Sequence, residues 1–291
     1  MEKFVLAVVI YLLLVPTVFA AQIPPFYLDS TVVIGVPTEP NKVSWIGTGF
    51  ILGVLTSKVE SQKSYNTFIV TNKHVINNLD SIYVRFNPEV GNHGKDYLIQ
   101  LIIDKKPIWV GHHDKDIDIA VIPINVSILS NDKMKFNFFR DDEHIFKIND
   151  MKEIGITEGD PIYLLGYPFG IVDENSQYVI ARYGIIARIR DTLANHGKGF
   201  LIDTKNYPGN SGGPVILKTE AMSIEGTKSV NKAQLIGIVN SYIPYIDVAI
   251  STQTKRPRIT FEENSGLANV IPVDYILETI DEFKNNFINS K

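Results

Sequence analysis

Short runs of β-branched and aromatic residues, each closed by a turn-prone cluster, dominate this chain and leave little room for any other backbone. "TVVIGV", "GTGFILGVL", "NTFIVTN", "SIYVRF", "YLIQLIID" and "DIAVIPI" make a first set. "DPIYLLGYP", "QYVIARYGIIARI", "GFLIDT", "GPVILK" and "AQLIGIVNSY" make a second. That rhythm predicts two groups of about six strands, the pattern of a β-barrel or sandwich. The passage from Asn125 to Asp160 is polar and punctuated, which suits a crossing between the two groups. Only the closing segment changes period: Ile276, Ile280, Phe283 and Phe287 share one helical face, with Pro272 and Asp274 near its start.

Holding such a fold together falls to its core alone. The chain has no cysteine in its 291 residues, so disulfides, thiolate metal sites and cysteine nucleophiles are all excluded. A chain of this length buries roughly 75% of its unfolded surface, enough without staples. Hydrophobic content of 45% and charged content of 21% are those of a globular protein. A net charge of −4, with the two signs mixed along the chain, gives no basic patch and predicts no nucleic-acid partner.

The N-terminus carries Lys3, an apolar run from Phe4 to Val15 and a small-residue ending through Val18 and Ala20. This predicts a signal peptide over 1–20, hence export to a periplasm or the medium; membrane attachment follows only if the segment stays uncleaved. The sequon at Asn125 is a short pattern that matters only in a glycosylating host.

"YPGNSGGPVI" (207–216) raises the chemical question, since its residues are those of a turn. A nucleophilic serine needs a base, a group that orients the base, and donors for an oxyanion. Of six histidines, His74 stands on the turn that closes a strand. Asp118 opens the strand-forming run Ile119–Ile122, and Asp116 on the same side is the alternative orienter. His112 and His113 with Asp114, Asp116 and Asp118 suggest a metal cluster, but the spacing fits no known ligand pattern, and a polar loop is preferred. Around Ser211, the N–H groups of Gly209 and Ser211 are the expected oxyanion donors, and Gly212 and Gly213 leave space for imidazole and substrate.

Several blocks in order resemble the trypsin-fold serine proteases, and among them the HtrA/Deg branch of the chymotrypsin clan. They are "GTGFI" (47–51), "VTNKHVI" (70–76), "DIAVI" (118–122), "GYPFG" (166–170), "DTKNYPGNSGGPVI" (203–216), "IGIVN" (236–240) and "GLANVIP" (266–272). The resemblance implies an all-β fold of two six-stranded antiparallel barrels with a C-terminal α-helix. On it the barrels fall at about 30–125 and 161–270, the crossing at 126–160 and the helix at 272–288, all within a protease domain over 21–291. It also implies that His74 is the general base, Asp118 its orienter and Ser211 the nucleophile of an endopeptidase working through an acyl-enzyme. Protein or peptide substrates follow, with no cofactor or metal, and a homo-oligomer is left open.

Departures from the family pattern shape the remaining expectations. Asn210 stands where many members have an aspartate that pairs with a newly released N-terminus, and no such activation site is found near position 30. Activity without that cleavage is therefore expected. No PDZ module is expected after the helix, and the polar inserts at Pro88–Asp116 and Thr219–Lys232 are expected to shape access or contacts between copies. The resemblance puts Val239, Asn240, Ser241 and Gly266 in the walls of the specificity pocket. Lys205, six residues before Ser211, would favour an acidic residue if it points inward, but a solvated lysine is the preferred reading. The rival function is a catalytically silent trypsin-fold protein that binds peptides or partners. An esterase on another fold fits less well, because the nucleophile-elbow order places the histidine last.

Overall fold

Alternation along each strand decides where its side chains go, and here both faces of the central strands are apolar. In the computed structural model, which describes residues 23–39, 42–60, 62–219 and 232–288, the first group comprises β1 (Thr31–Glu39), β2 (Lys42–Val59), β3 (Gln62–Thr71), β4 (Ser81–Pro88) and β5 (Lys95–Gln100). A two-stranded ribbon, β6 (Ile102–Ile103) with β7 (Lys106–Pro107), and a short β8 (Val110–Gly111) lead into β9 (Ala120–Ile124). The predicted signal peptide, and the Thr219–Lys232 insert apart from its two ends, lie outside the described residues.

Ile51 of β2, Ile69 of β3 and Ile122 of β9 point into a core enclosed by the first sheet. Their neighbours Phe50, Leu52, Phe68, Val70 and Val121 point the opposite way, into a second cluster. That period of two, with both faces buried, is why these strands read as near-continuous apolar runs. The same division holds in the second group: β12 (Pro161–Gly166), β13 (Ile180–Arg188), β14 (Phe200–Asp203), β15 (Pro214–Leu217), β16 (Gln234–Ile250) and β17 (Pro257–Pro272), once the two short crossing strands β10 (Met134–Lys135) and β11 (Phe139–Arg140) are counted. Ile162, Leu164, Val215, Leu217 and Val270 fill this barrel's own core. Tyr163, Leu165, Ile216 and Ile271 face the shared cluster with Phe50 and Phe68. The two halves are thus welded by the outer faces of their strands.

The second group closes as a six-stranded antiparallel barrel in the order β12-β13-β14-β17-β16-β15. The first curls without closing. Its order is β10-β4-β1-β2-β3-β9-β8, with β5 added on β4, so β5 and β9 are not hydrogen-bonded to each other. Side chains of Tyr97, Ile99, Pro123, Ile128 and Leu129 line an apolar cavity of about 350 Å³ along this seam. Within residues 126–160 the short strands β10 and β11 pair with β4 and β2 of the first sheet. Ile148–Ile154 forms a helix ended by Gly155 in the left-handed region, and Phe139 on β11 is fully buried against Tyr27 and Phe50.

The predicted C-terminal helix spans Val273–Phe283 and continues as a wider π-helical turn at Lys284–Ile288. Val273, Ile276, Ile280 and Phe283 enter the shared cluster, and Phe283 meets Phe68 edge-on at 5.4 Å. The widened turn leaves Phe287 exposed, stacked on Phe283 at 4.8 Å. Ile280 is fully buried, so Ile280→Ala is expected to cost about 2–5 kcal/mol by lost transfer energy and a residual cavity. Denaturant unfolding checks this; a loss well under about 1 kcal/mol would mean that the helix does not share the core. No helix among the described residues is long and apolar enough to cross a membrane.

Candidate active site

His74 rides on a single helical turn, Lys73–Ile76, directly after β3. Val75 and Ile76 are buried, which anchors the turn and leaves the imidazole half exposed. Asp118 sits between Ile117 and Ile119, both fully buried, so its backbone has no freedom to drift. One carboxylate oxygen meets His74 Nδ1 at 2.5 Å and the other accepts the His74 backbone N–H at 3.1 Å. The Asn72 side-chain amide donates to the Asp118 carbonyl at 2.7 Å, tying the strand end to the aspartate's backbone.

Burial is the largest single influence on Asp118 and would raise its carboxyl. The hydrogen bonds and charge of His74 together outweigh it and hold the group below the usual carboxylate range. A carboxyl depressed on folding contributes stability above its unfolded pKa, and that contribution is lost as pH falls through the lowered folded value. Asp118→Asn is therefore expected to flatten the acid limb of Tm against pH below about pH 4. An unchanged acid limb in a pH series of thermal melts would refute this coupling.

Asp116, the alternative orienter, is exposed and pairs with Lys198 at 3.0 Å, as does Asp114 at 2.7 Å. The structure thus brings Asp118 alone of the three to His74. His112 and His113 face the C-terminal helix instead: His112 Nε2 lies 3.2 Å from Glu278 and His113 Nδ1 2.5 Å from Glu282. His112, His113 and Glu282 bring ligand atoms within 4.8 Å of one another and are, among the described residues, the group that could hold a cation. However, the Asp114 backbone N–H donates to His112 Nδ1 at 3.1 Å. That bond leaves the proton on Nε2, where a metal ligand needs a lone pair. The geometry is that of a hydrogen-bonded dock for the helix.

The serine loop is pinned peptide by peptide. Pro208 O accepts the Phe169 N–H at 2.6 Å, Gly209 O accepts the Thr48 hydroxyl at 2.6 Å, and Asn210 O accepts the Gly213 N–H at 2.8 Å. In a trans peptide the N–H points opposite to the C=O. Fixing Pro208 O and Asn210 O therefore fixes the directions of the Gly209 and Ser211 N–H groups. Neither of these N–H groups has a hydrogen-bond acceptor among the described residues. Gly209 is in the left-handed region at φ 95°, and a Cβ there would lie 2.4 Å from Tyr167 O. Gly212, at φ 86°, would set a Cβ 2.0 Å from Thr48 O and 2.4 Å from the Thr71 hydroxyl. Side chains are excluded at both places, because the loop lies on the Tyr167–Gly170 turn at Gly209 and on β2 and the end of β3 at Gly212.

Thr48 is the residue that sequence reading passed over, although "GTGFI" contains it. Its N–H donates to Ser211 O at 2.9 Å, its hydroxyl donates to Gly209 O, and it accepts the Tyr167 N–H at 3.1 Å. Its own carbonyl accepts the Thr71 hydroxyl at 2.7 Å. These bonds tie the serine loop, the Tyr167 turn and the end of β3 to β2. Asn210 is buried, but no partner for its Nδ2 is found among the described residues. No local pattern announces such a clasp; it is a tertiary contact.

Ser211 Oγ donates to Asn240 O at 3.3 Å, and no hydrogen bond joins it to His74 among the described residues. A hydroxyl on one rotatable bond changes acceptor by a rotamer step, and catalytic hydrogen bonds commonly tighten only with substrate present. Asn240 itself occupies a bulge between Val239 and Ser241, and the Ser241 hydroxyl accepts the Asn269 amide at 3.0 Å. Val239 is buried, while Gly266, at φ 88°, offers its carbonyl to the Thr204 N–H at 2.9 Å. Lys205 is exposed and borders an outer groove with Ala181–Ile185 and Asp203, whose walls include neither His74 nor Ser211. The buried neighbour is Asn206, which accepts a hydrogen bond from the Asn264 amide through its main-chain carbonyl.

Fold and loop geometry together define a protein of the trypsin-like class. A family profile described as a trypsin-like peptidase domain matches residues 47–222, and the chain belongs to that family. No curated protein sequence matches it. Among solved structures it is similar to the apo form of the MamO protease domain from Magnetospirillum magneticum. That match has 14% identity and a TM-score of 0.45, covering 87% of this chain and 96% of the other.

Proposed function

We propose that the chain is an exported, HtrA-like serine endopeptidase that needs no cofactor. The observation that carries this reading is the pairing of a two-point Asp118 clamp on His74 with the Gly209 and Ser211 N–H groups, which have no acceptor among the described residues. Ser211 Oγ attacks the substrate carbonyl as His74 takes its proton. Asp118 keeps the Nδ1 proton in place and stabilises the imidazolium. The negative oxygen of the tetrahedral intermediate is received by Gly209 and Ser211 N–H, whose directions are set before substrate arrives. His74 then returns the proton to the leaving amine, and water releases the acyl group by the same steps in reverse order. Export rests on the sequence of residues 1–20, and the HtrA-like assignment on the ordered motifs, "GYPFG" above all.

A silent, peptide-binding protein is the second reading, and the Ser211 hydrogen bond to Asn240 favours it. A fluorophosphonate probe separates the two. Covalent labelling mapped to Ser211, followed by casein cleavage, is the expected result; an unlabelled, folded protein would establish the silent reading.

A further inference from the structure

β16 and β17 run far past the barrel. From Pro244 through Asn264 they form a two-stranded arm about 24 Å long at ~3.4 Å per residue. Residues 244–250 and 257–263 are all exposed, among them Tyr245, Ile246, Val248, Ile250, Ile259 and Phe261. A lone hairpin is marginally stable in water, and one with apolar side chains on both faces invites a partner. The outer edge of β17 is unpaired along this stretch among the described residues, because β14 reaches only to Leu267 and Thr204 to Gly266.

The charge pattern selects the partner. Lys255, Arg256 and Arg258 stand at the tip, while Glu262 and Glu263 stand on the same strand nearer the root. An antiparallel neighbour with the same strand would lay its basic end on this strand's acidic end. We propose that β17 pairs edge to edge with β17 of a second copy, antiparallel, about a two-fold axis at Thr260. A two-fold axis through the sheet keeps each side chain on its own face, which restricts the register to one centred on a residue. Centring on Thr260 sets Arg258 against the second copy's Glu262, Ile259 against its Phe261, and Thr260 against its Thr260. Opposite-charge, aliphatic–aromatic and Thr–Thr pairs are the cross-strand pairs that stabilise sheets. The bulge at Arg258, between the rungs of Ala249 and Ile250, ends the ladder there.

The other edge fits worse. On β16 the residue level with Thr260 is Val248, so the same symmetry would set Asp247 against the second copy's Ala249 with no opposite charge to pair it, and Pro244 has no N–H to give. Joining β16 to a neighbour's β17 is not self-complementary and leaves one free edge on each of two copies, so it gives no closed dimer. The β17 seam makes a four-stranded sheet whose face gathers Ile259, Phe261 and Ala249 from both copies. Its root carries Ser241 and Gly266, so assembly acts on the strands that wall the candidate pocket.

Light scattering on the purified chain at about 100 µM is expected to give the mass of two chains. Arg258→Glu and Glu262→Arg should each weaken the dimer at least tenfold. The double variant R258E/E262R should restore it, and mixing the two single variants should yield a heterodimer. Because the chain has no cysteine, Thr260→Cys should be trapped as a disulfide-linked dimer on mild oxidation, whereas Val248→Cys on the inner strand should not. A monomeric wild type, a dimer that both reversals leave intact, or charge reversals that do not rescue each other would overturn the proposal. None of these readouts involves peptide hydrolysis, so they stand or fall apart from the proteolytic reading.

Discussion

Ser211→Ala is expected to lower kcat for peptide hydrolysis by about 10⁴- to 10⁶-fold, the range seen when a triad nucleophile is removed. The same change should leave Tm within about 2 °C of wild type. The reason is local: the hydroxyl makes one 3.3 Å bond to Asn240 O, whereas the loop is held by main-chain groups of Pro208, Gly209, Asn210 and Ser211. Steady-state kinetics and a thermal melt on the same preparation check both halves. Retained turnover would remove Ser211 from the reaction, and a large fall in Tm would mean that the hydroxyl is structural. Residual activity far below wild type but above the uncatalysed rate is consistent, since the oxyanion donors remain.

Thr48→Val should reduce kcat by about 10²- to 10³-fold without touching any reacting atom, comparable to losing one oxyanion donor. Valine keeps the branched shape required on β2 but leaves Gly209 O and the Tyr167 N–H without their partner in a buried place. Each unsatisfied group costs about 1–3 kcal/mol. The peptide between Gly209 and Asn210 is then held only by the Asn210 N–H bond to Tyr207 O, and the two peptides beside it, which carry the Gly209 and Ser211 N–H groups, lose the clasp between them. KM should change little, because the loss falls on transition-state stabilisation rather than on binding. Thr48→Ser, which keeps the hydroxyl, should recover most of the rate. A Thr48→Val variant with wild-type kcat would show that the loop does not need its clasp; equal damage from Thr48→Ser would point to packing rather than to the hydrogen bond.

Strand positions were legible because alternation is local. "NTFIVTN" reads as a strand without knowing what lies above or below it, and Phe68, Ile69 and Val70 duly divide between two cores. The C-terminal helix was legible for the same reason, through Ile276, Ile280 and Phe283 on one face. What alternation cannot tell is whether a sheet closes. The seam between β5 and β9 is set by the route of residues 101–119, and no run of residue types encodes that route. Asp116 and Asp118 were equivalent by alternation alone; the structure sends one to Lys198 and the other to His74.

By itself, the sequence determined the all-β character and the chain order of His74, Asp118 and Ser211. These depend on side-chain size, polarity and backbone freedom within a few residues. Tertiary structure alone decided that Thr48 clasps the serine loop, that Lys205 stays in solvent, and that β17 runs past β14 with an outer edge that has no partner among the described residues. Those outcomes depend on groups that meet only after the chain has folded. Thr48 and Gly209 are 161 residues apart, and the bond between them leaves no mark on either local pattern.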